Sequence, residues 1–335
     1  MTKVDIAHEW TDSEIKRLAE RLRYHYRKSA GELSRKAEKH LKSYERNLKK
    51  TAAMFAAGEI DAADFKRWRE KWAVIMARDS KMIADYTATA QRATAEARAI
   101  IGGTVPEVFA ECANMSFFTI DKAIGRNVAF DMVNKDAVLF MMQRNPRLLP
   151  VAEESLLKGA TARWHSQKFT SAVTQGILQG ESVPDVAQRL MNVSAMDFSA
   201  AERAARTALT CAENKGRQYS YEQAKAMGIR GQKEWQATLD GRTRDTHREM
   251  DGVRVEISEK FPNGLEEPGD PAGDPEEVWN CRCTMDLVID EMADAELERW
   301  SRLPEDVTYE QWKSGAYRTD RNNRETKASR NARTA

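Results

Sequence analysis

The scarcity of chain breakers constrains this sequence more than any other feature. Its 335 residues include 17 glycines and 9 prolines, and four of those prolines fall in one stretch, FPNGLEEPGDPAGDPEE, Phe261 to Glu277. Inside a helix glycine costs about 1 kcal/mol and proline about 3 kcal/mol relative to alanine. Long stretches poor in both and rich in Ala, Glu, Lys and Arg therefore favour helix. The spacing agrees. Ile15, Leu18, Leu22, Tyr26, Leu33, Ala37, Leu41, Tyr44 and Leu48 recur at gaps of three, four and seven, with Lys and Arg filling the rest. That pattern draws one apolar stripe along a helix. It predicts a long helix or helical pair over 12–56, capped by Thr11 or Ser13. A break follows at AAGEID, with Asp61 as a new cap, and a second helix runs from Ala62 to about Ile100, where IIGGTVPE ends it. Two long helices joined by a short turn form a hairpin.

Shorter helices are expected at PEVFAECANMSFFTIDKAI and KDAVLFMMQRN, and another over 153–180 that closes at Gly180. SVPDVAQRLMNV has Ser182 as cap and Pro184 in its first turn, and SAAERAARTALTCAENKGRQYSYEQAKAMG reads as one more helix closed by Gly228. After Gly228 the texture changes. KEWQATLD and VRVEI alternate with period two, and TMDLVID ends in a short apolar run, so these read as strands. The expected fold is mainly α: a long N-terminal helical hairpin and a helical middle, then a small α+β C-terminal module with a short antiparallel sheet. The expected division is a basic hairpin over 1–104, a helical domain over 105–230, the α+β module over 231–292, and a polar basic tail over 293–335 that is partly disordered.

Charge is abundant (31% of residues) but nearly balanced, with a net of +1. It is unevenly placed. From Glu14 to Lys50 there are 13 Lys/Arg against 5 Asp/Glu, and from Lys313 to Ala335 there are 7 against 2. From Glu256 to Glu277 there are 8 Asp/Glu against one Lys. Basic ends suit non-specific contact with DNA or acidic protein surfaces through residues 14–50 and 313–335. The plainer alternative is a solvated helix face and a free tail. No apolar run approaches the ~20 residues of a membrane helix, so no membrane partner is expected. MTKVDIAHEW has no basic region followed by an apolar core, so a cytoplasmic site of synthesis and folding is expected. Four cysteines, Cys112, Cys211, Cys281 and Cys283, make no disulfide framework.

The chemistry-bearing residues concentrate after Trp235. His247 is followed by NCRC, Asn280 to Cys283. His247, Cys281 and Cys283 are three ligands of the kind zinc prefers, and two cysteines one residue apart on a strand point the same way. No fourth ligand is written nearby; Cys211, Asp240, Asp245 and Asp251 are options. The competing reading has the cysteines packing as small apolar side chains while His247 bonds its loop. A catalytic Cys–His pair with Asp245 as orienting group can also be drawn. Asp240, Asp245 and Asp251 also invite a two-carboxylate or metal-hydrolase reading, but their spacing, with Gly241 and Gly252, equally suits tight turns between short strands. No phosphate loop, nucleophile elbow or His-Glu-x-x-His pair is present. No catalytic constellation emerges.

Taken in order, a further set of residues resembles one family. GILQGESVPDVAQRLMNV precedes AERAARTALTCAENKGRQYSYEQAKAMGI; then come EWQATLDGRTRDTHREMDG, the Pro/Gly-rich acidic loop and VWNCRCTMDLVI. The set is similar to the phage Mu F-like minor head proteins, also called phage head morphogenesis proteins. The shared residues are Arg206, Thr207, Asn214, Gly216, Arg217, Trp235, Asp240, Arg242, Thr243, His247, Asp251, Gly252, Asn280, Cys281, Arg282 and Cys283, and the resemblance covers about residues 155–290. The chain departs from it at Ala208, where many members carry an acid. The resemblance implies a virion component, made in the host cytoplasm, that joins the portal protein and capsid or scaffold proteins and acts in head assembly, with genome packaging or ejection as further roles. It implies a structural protein, with the signature belonging to a small module closed by structural zinc or by no metal. The alternative is a phage-delivered or metal-dependent enzyme using His247 with Cys281 and Cys283.

Overall fold

The computed structural model describes residues 5–149 and 161–317. The protein is mainly α, with short antiparallel sheets. In chain order the elements are α1 (Ile6–His40), α2 (Lys42–Ala56), α3 (Ala62–Ala77), α4 (Ser80–Ile124), β1 (Arg126–Asn127), α5 (Lys135–Arg144), α6 (Ala162–Gln179) and α7 (Val183–Ala226). The C-terminal part holds β2 (Gly231–Gln236), α8 (Asp245–Met250), β3 (Arg254–Glu256), α9 (Pro275–Val278), β4 (Thr284–Ile289), α10 (Asp294–Leu297), β5 (Ser301–Arg302) and α11 (Tyr309–Ser314). The described chain divides into two compact units, neither continuous in sequence. One is wholly helical, from residues 15–103 and 161–206; the other takes in residues 5–14, 104–149 and 207–317.

The helical unit is built on the apolar stripe. Leu18, Leu22, Tyr26, Leu33, Ala37, Leu41 and Tyr44 are all buried, while Lys16, Arg17, Arg21, Arg27, Lys28, Arg35 and Lys39 are not. Each buried leucine contributes about 1.5–3 kcal/mol of transfer free energy, so the stripe fixes which face of α1 is covered. Its partners are Met76, Met82, Tyr86, Phe169, Val173, Ile177, Val186 and Leu190. Asp61 caps α3 by accepting the Asp64 amide, and Gly180 ends α6 with φ +76°. Ser182 and Asp185 cap each other's amides at the start of α7. A buried polar pair lies in this core, with His165 Nε2 2.9 Å from Asp197 Oδ2 and Nδ1 2.8 Å from Gln91 Nε2.

Two breaks expected from the sequence do not occur. The helix does not end at IIGGTVPE: α4 runs through Gly102, Gly103 and Pro106 to Ile124. Ile101, Val105, Val108, Phe109 and Cys112 are buried at helical spacing through this stretch. That burial outweighs the roughly 3 kcal/mol cost of an interior proline. Likewise SVPDVAQRLMNV and SAAERAARTALT are one helix, α7. Ser199, a cap by residue type, instead bonds back to the Ala195 carbonyl at 3.1 Å, which a helix interior accommodates. The part of the expected 153–180 helix before Thr161 lies outside the described residues; Thr161 itself caps α6 by accepting the Trp164 amide.

The mixed unit carries a three-stranded antiparallel sheet in the order β3-β2-β4. Trp235 faces Met285 across one pair, and Lys233 sits between Val255 and Leu287. Gly231, Lys233 and Trp235 alternate inward along β2, as the period-two pattern predicts. Trp235 is fully buried and meets Phe261 edge-on. The acidic Pro/Gly-rich loop has only α9 as regular structure, yet it is packed. Phe261 and Leu265 are buried, and the Phe261 amide bonds the Leu265 carbonyl. Beyond residue 292, β5 pairs with β1, and Trp312 is buried with its Nε1 2.8 Å from Asp121 Oδ2. Residues 293–317 are thus built into the unit; the rest of the expected tail, 318–335, lies outside the described residues.

Candidate functional site

The three expected metal ligands come together. After β2 the chain turns through residues 237–243 into α8, which places His247 against the NCRC segment leading into β4. His247 Nδ1 is 3.4 Å from Cys283 Sγ and 3.6 Å from Cys281 Sγ. The three residues are 1%, 2% and 2% exposed. The Cys283 amide donates to Cys281 Sγ at 3.4 Å. The two thiols share one charge: the neighbouring Cys281 and His247 hold the Cys283 thiol below its usual range, while Cys283 and burial push Cys281 up. On the other side of the ring, His247 Nε2 is 2.9 Å from Glu277 Oε2, out of line for a hydrogen bond. Thr246 Oγ1 donates to the same carboxylate at 3.0 Å. Trp235 packs edge-on to the imidazole.

The other ligand options lie elsewhere. Asp240 takes a two-pronged bond from Arg282, at 2.5 and 2.7 Å, which holds its carboxyl far below the usual range. It also accepts the Arg242 amide at 2.8 Å. Asp251 accepts the Ala237 amide at 2.8 Å, and Gly252 takes φ +74° while donating to the Trp235 carbonyl. Thr243 Oγ1 donates to the Thr238 carbonyl. These signature residues hold the turn between β2 and β3. Asp245 is exposed, and Cys211 is buried beside Gly269. Arg242 is exposed apart from a 3.7 Å pairing with Asp240.

The signature on α7 has a second task. Thr207 Oγ1 accepts the Asn280 amide at 2.9 Å; Asn280 has φ +58°. Thr210 Oγ1 donates to the Cys281 carbonyl at 3.2 Å, and Asn214 Nδ2 to the Cys283 carbonyl at 3.1 Å. Arg217 and the Tyr221 hydroxyl both donate to the Met285 carbonyl at 3.0 Å. Positions 207, 210, 214, 217 and 221 repeat at three and four, so they form one polar stripe that satisfies backbone groups of the chain entering β4. A buried backbone group left without a partner costs about 1–3 kcal/mol, which gives each member a structural reason to be polar. Sequence reasoning missed Thr210 and Tyr221; their helical spacing from Thr207, Asn214 and Arg217 was the available signal. Gly216 serves the same packing. A Cβ there would lie 2.4 Å from the Phe109 carbonyl oxygen, so α4 and α7 approach too closely for any side chain. Arg206 lies half-buried in the helical unit, and Ala208 is buried.

Behind the stripe sits a charged network. Arg217 bonds Asp5 at 2.6 and 2.8 Å and Glu213 at 3.0 Å, and His8 Nδ1 is 3.1 Å from Glu213. Burial disfavours the His8 cation, but the hydrogen bond and charge of Glu213 outweigh it and push His8 up to about 9. A second cluster lies at the acidic loop. Lys233, itself buried, donates to the Glu266 carbonyl at 2.7 Å, and burial lowers it. Lys215 pairs with Glu267 at 3.0 Å, and burial pushes Glu267 up to about 7.

Compared with known proteins, residues 167–286 match the family described as Phage Mu protein F like protein. The chain is 31% identical over 178 residues to a protein named Minor head protein GP7 of Bacillus phage SPP1, covering 52% of this chain and 56% of that one. It is 28% identical over 203 residues to a protein named NAD(+)--arginine ADP-ribosyltransferase EFV of Enterococcus faecalis, covering 58% of this chain and 40% of that one. The chain thus spans about half the length of these curated relatives. No solved structure matches it.

Proposed function

We propose, on the premise that residues 167–286 belong to the phage Mu F-like minor head protein family, that this chain is a virion protein of a tailed phage acting in capsid assembly at the portal vertex. The observation that carries this is the alignment with a minor head protein over half of each chain. The chemistry of the signature agrees: Thr207, Asn214, Arg217, Asp240 and Asp251 are engaged with backbone or with each other's loops. The protein is made in the host cytoplasm, joins portal and capsid or scaffold proteins, and supports genome packaging or ejection. In this reading the basic segment 1–104 faces portal or DNA, 105–230 carries the helical middle, 231–292 is the signature module, and 313–335, within the tail 293–335, adds a second basic contact. No described helix is long and apolar enough to cross a membrane.

Quantitative mass spectrometry of purified particles, before and after triggered DNA release, tests this. A few copies per particle is the expected result. Loss on release would make it an ejected protein, and absence from particles would sink the reading.

A second reading, a delivered enzyme, is favoured by one observation, the 28% identity to a protein named as an arginine ADP-ribosyltransferase. The matched stretch covers 40% of that relative, and this chain's polar signature residues serve its own backbone. The expected result is no NAD cleavage and no labelling of arginine-containing acceptors by the purified chain. Turnover that His247→Ala abolishes without unfolding would reverse the assignment to a structural protein.

A further inference from the structure

We infer that His247, Cys281 and Cys283 hold a zinc ion that fastens α8 to the strand entry at NCRC. Four independent features meet at this point. The first is spacing. Zinc binds imidazole nitrogen at about 2.0–2.1 Å and thiolate at about 2.3 Å, so neighbouring ligand atoms around a tetrahedral ion stand roughly 3.6 Å apart. His247 Nδ1 stands 3.4 and 3.6 Å from the two sulfurs. The second is the sulfur environment. Cys281 Sγ accepts the Cys283 amide at 3.4 Å. Such a donor suits a thiolate that shares its charge with a cation. Asn280, in the left-handed region at φ +58°, makes the turn that presents both sulfurs to one side.

The third is the outer face of the imidazole. Nε2 looks at Glu277, 2.9 Å away, and Glu277 is held in turn by Thr246. The two atoms are out of line for a hydrogen bond as they stand, but the negative charge so close to Nε2 favours the ring's proton on that nitrogen and leaves Nδ1 for a metal, and metal-bound histidines are usually backed by such a carboxylate. The fourth is the surrounding shell. Trp235, Val278 and Met285 are buried in the same cluster as the two cysteines, so apolar side chains enclose most of the site. The ligand set is soft and thiolate-rich, which selects zinc over calcium or magnesium. With three protein ligands, water or another small ligand completes the tetrahedron.

The acidic trio Glu266, Glu267 and Asp270 also lies close together. It is already committed: Lys215 pairs with both glutamates, and Asp270 accepts the Glu266 and Ala272 amides. The zinc assignment rests on the His/Cys/Cys cluster alone and does not depend on the virion reading.

The test uses the full chain purified without chelator. Zinc is counted by plasma mass spectrometry, and cobalt(II) is added to metal-stripped protein as a spectroscopic probe. The expected result is about one zinc per chain and a thiolate-to-cobalt charge-transfer band. Cys281→Ser and Cys283→Ser should each lower bound zinc and weaken that band. Should these variants fail to fold, Glu277→Gln keeps the test open. It leaves all three ligands in place and should weaken zinc affinity about 10-fold or more with the circular dichroism spectrum unchanged. Folded wild-type chain that takes up neither zinc nor cobalt would overturn the proposal. So would metal binding unaltered by loss of both cysteines.

Discussion

At the scale of single residues, the signature is mostly a record of close approaches and backbone bonds. Gly216 is a close approach of α7 to α4, with the hypothetical Cβ 2.4 Å from a carbonyl oxygen that cannot rotate away. Gly216→Ala should therefore lower the unfolding free energy by about 1–3 kcal/mol, the usual cost of overpacking, as read from the denaturant midpoint at unchanged slope. Asn280 gives a complementary test of conformation. Its φ of +58° disfavours a β-branched side chain and suits glycine. Asn280→Val should cost about 1–3 kcal/mol and Asn280→Gly less than about 1 kcal/mol. Equal effects from the two would remove backbone conformation as the reason for the asparagine. Glycines and an asparagine were visible in the sequence as residues. Which of them meet a carbonyl or adopt a left-handed turn depends on neighbours far away along the chain.

At the scale of elements, the apolar stripe of α1 and the alternation of β2 were legible because each is a local pattern with a fixed period. The stripe's buried set, from Leu18 to Tyr44, is the set the spacing marks. The continuity of α4 and α7 was not legible; in α4 the burial of Val105, Val108 and Phe109 overrides Gly103 and Pro106. The start of α1 is tied to α7 by charge, which gives a pH test. The folded His8 is raised from 6.5 to about 9, so its contribution is complete below pH 6.5 and disappears as pH rises through about 9. The stability difference between the parent chain and His8→Gln should shrink by about 3 kcal/mol between pH 6 and pH 9.5. A difference that stays flat across that range would mean His8 does not carry its charge on Glu213. Comparing the two chains cancels the other groups that titrate in the same window.

At the scale of the whole molecule, the chain visits each unit more than once, and α4 and α7 each supply residues to both. No local signal in a sequence marks such a return. The basic residues of α1 and α2 lie on the faces opposite the buried stripe, Arg27, Lys28, Lys39, Lys42, Arg46, Lys49 and Lys50 among them. If they face the genome, duplex DNA binding by the chain should fall steeply between about 50 and 200 mM salt. Replacing Arg27, Lys28, Lys39 and Lys42 by Gln should reduce both the affinity and the salt slope. Affinity that is absent at low salt, or unchanged by these replacements, would leave the charges as a solvated face only. Period and composition by themselves determined the mainly helical class, the strands after Gly228 and the gathering of chemistry near His247, because helix and strand are set by neighbours along the chain. Only the tertiary structure decided that α7 lends a polar stripe to the backbone entering β4, that Asp240 and Asp251 hold a turn, and that one imidazole nitrogen meets two sulfurs, because those contacts join groups far apart in sequence and are fixed by packing.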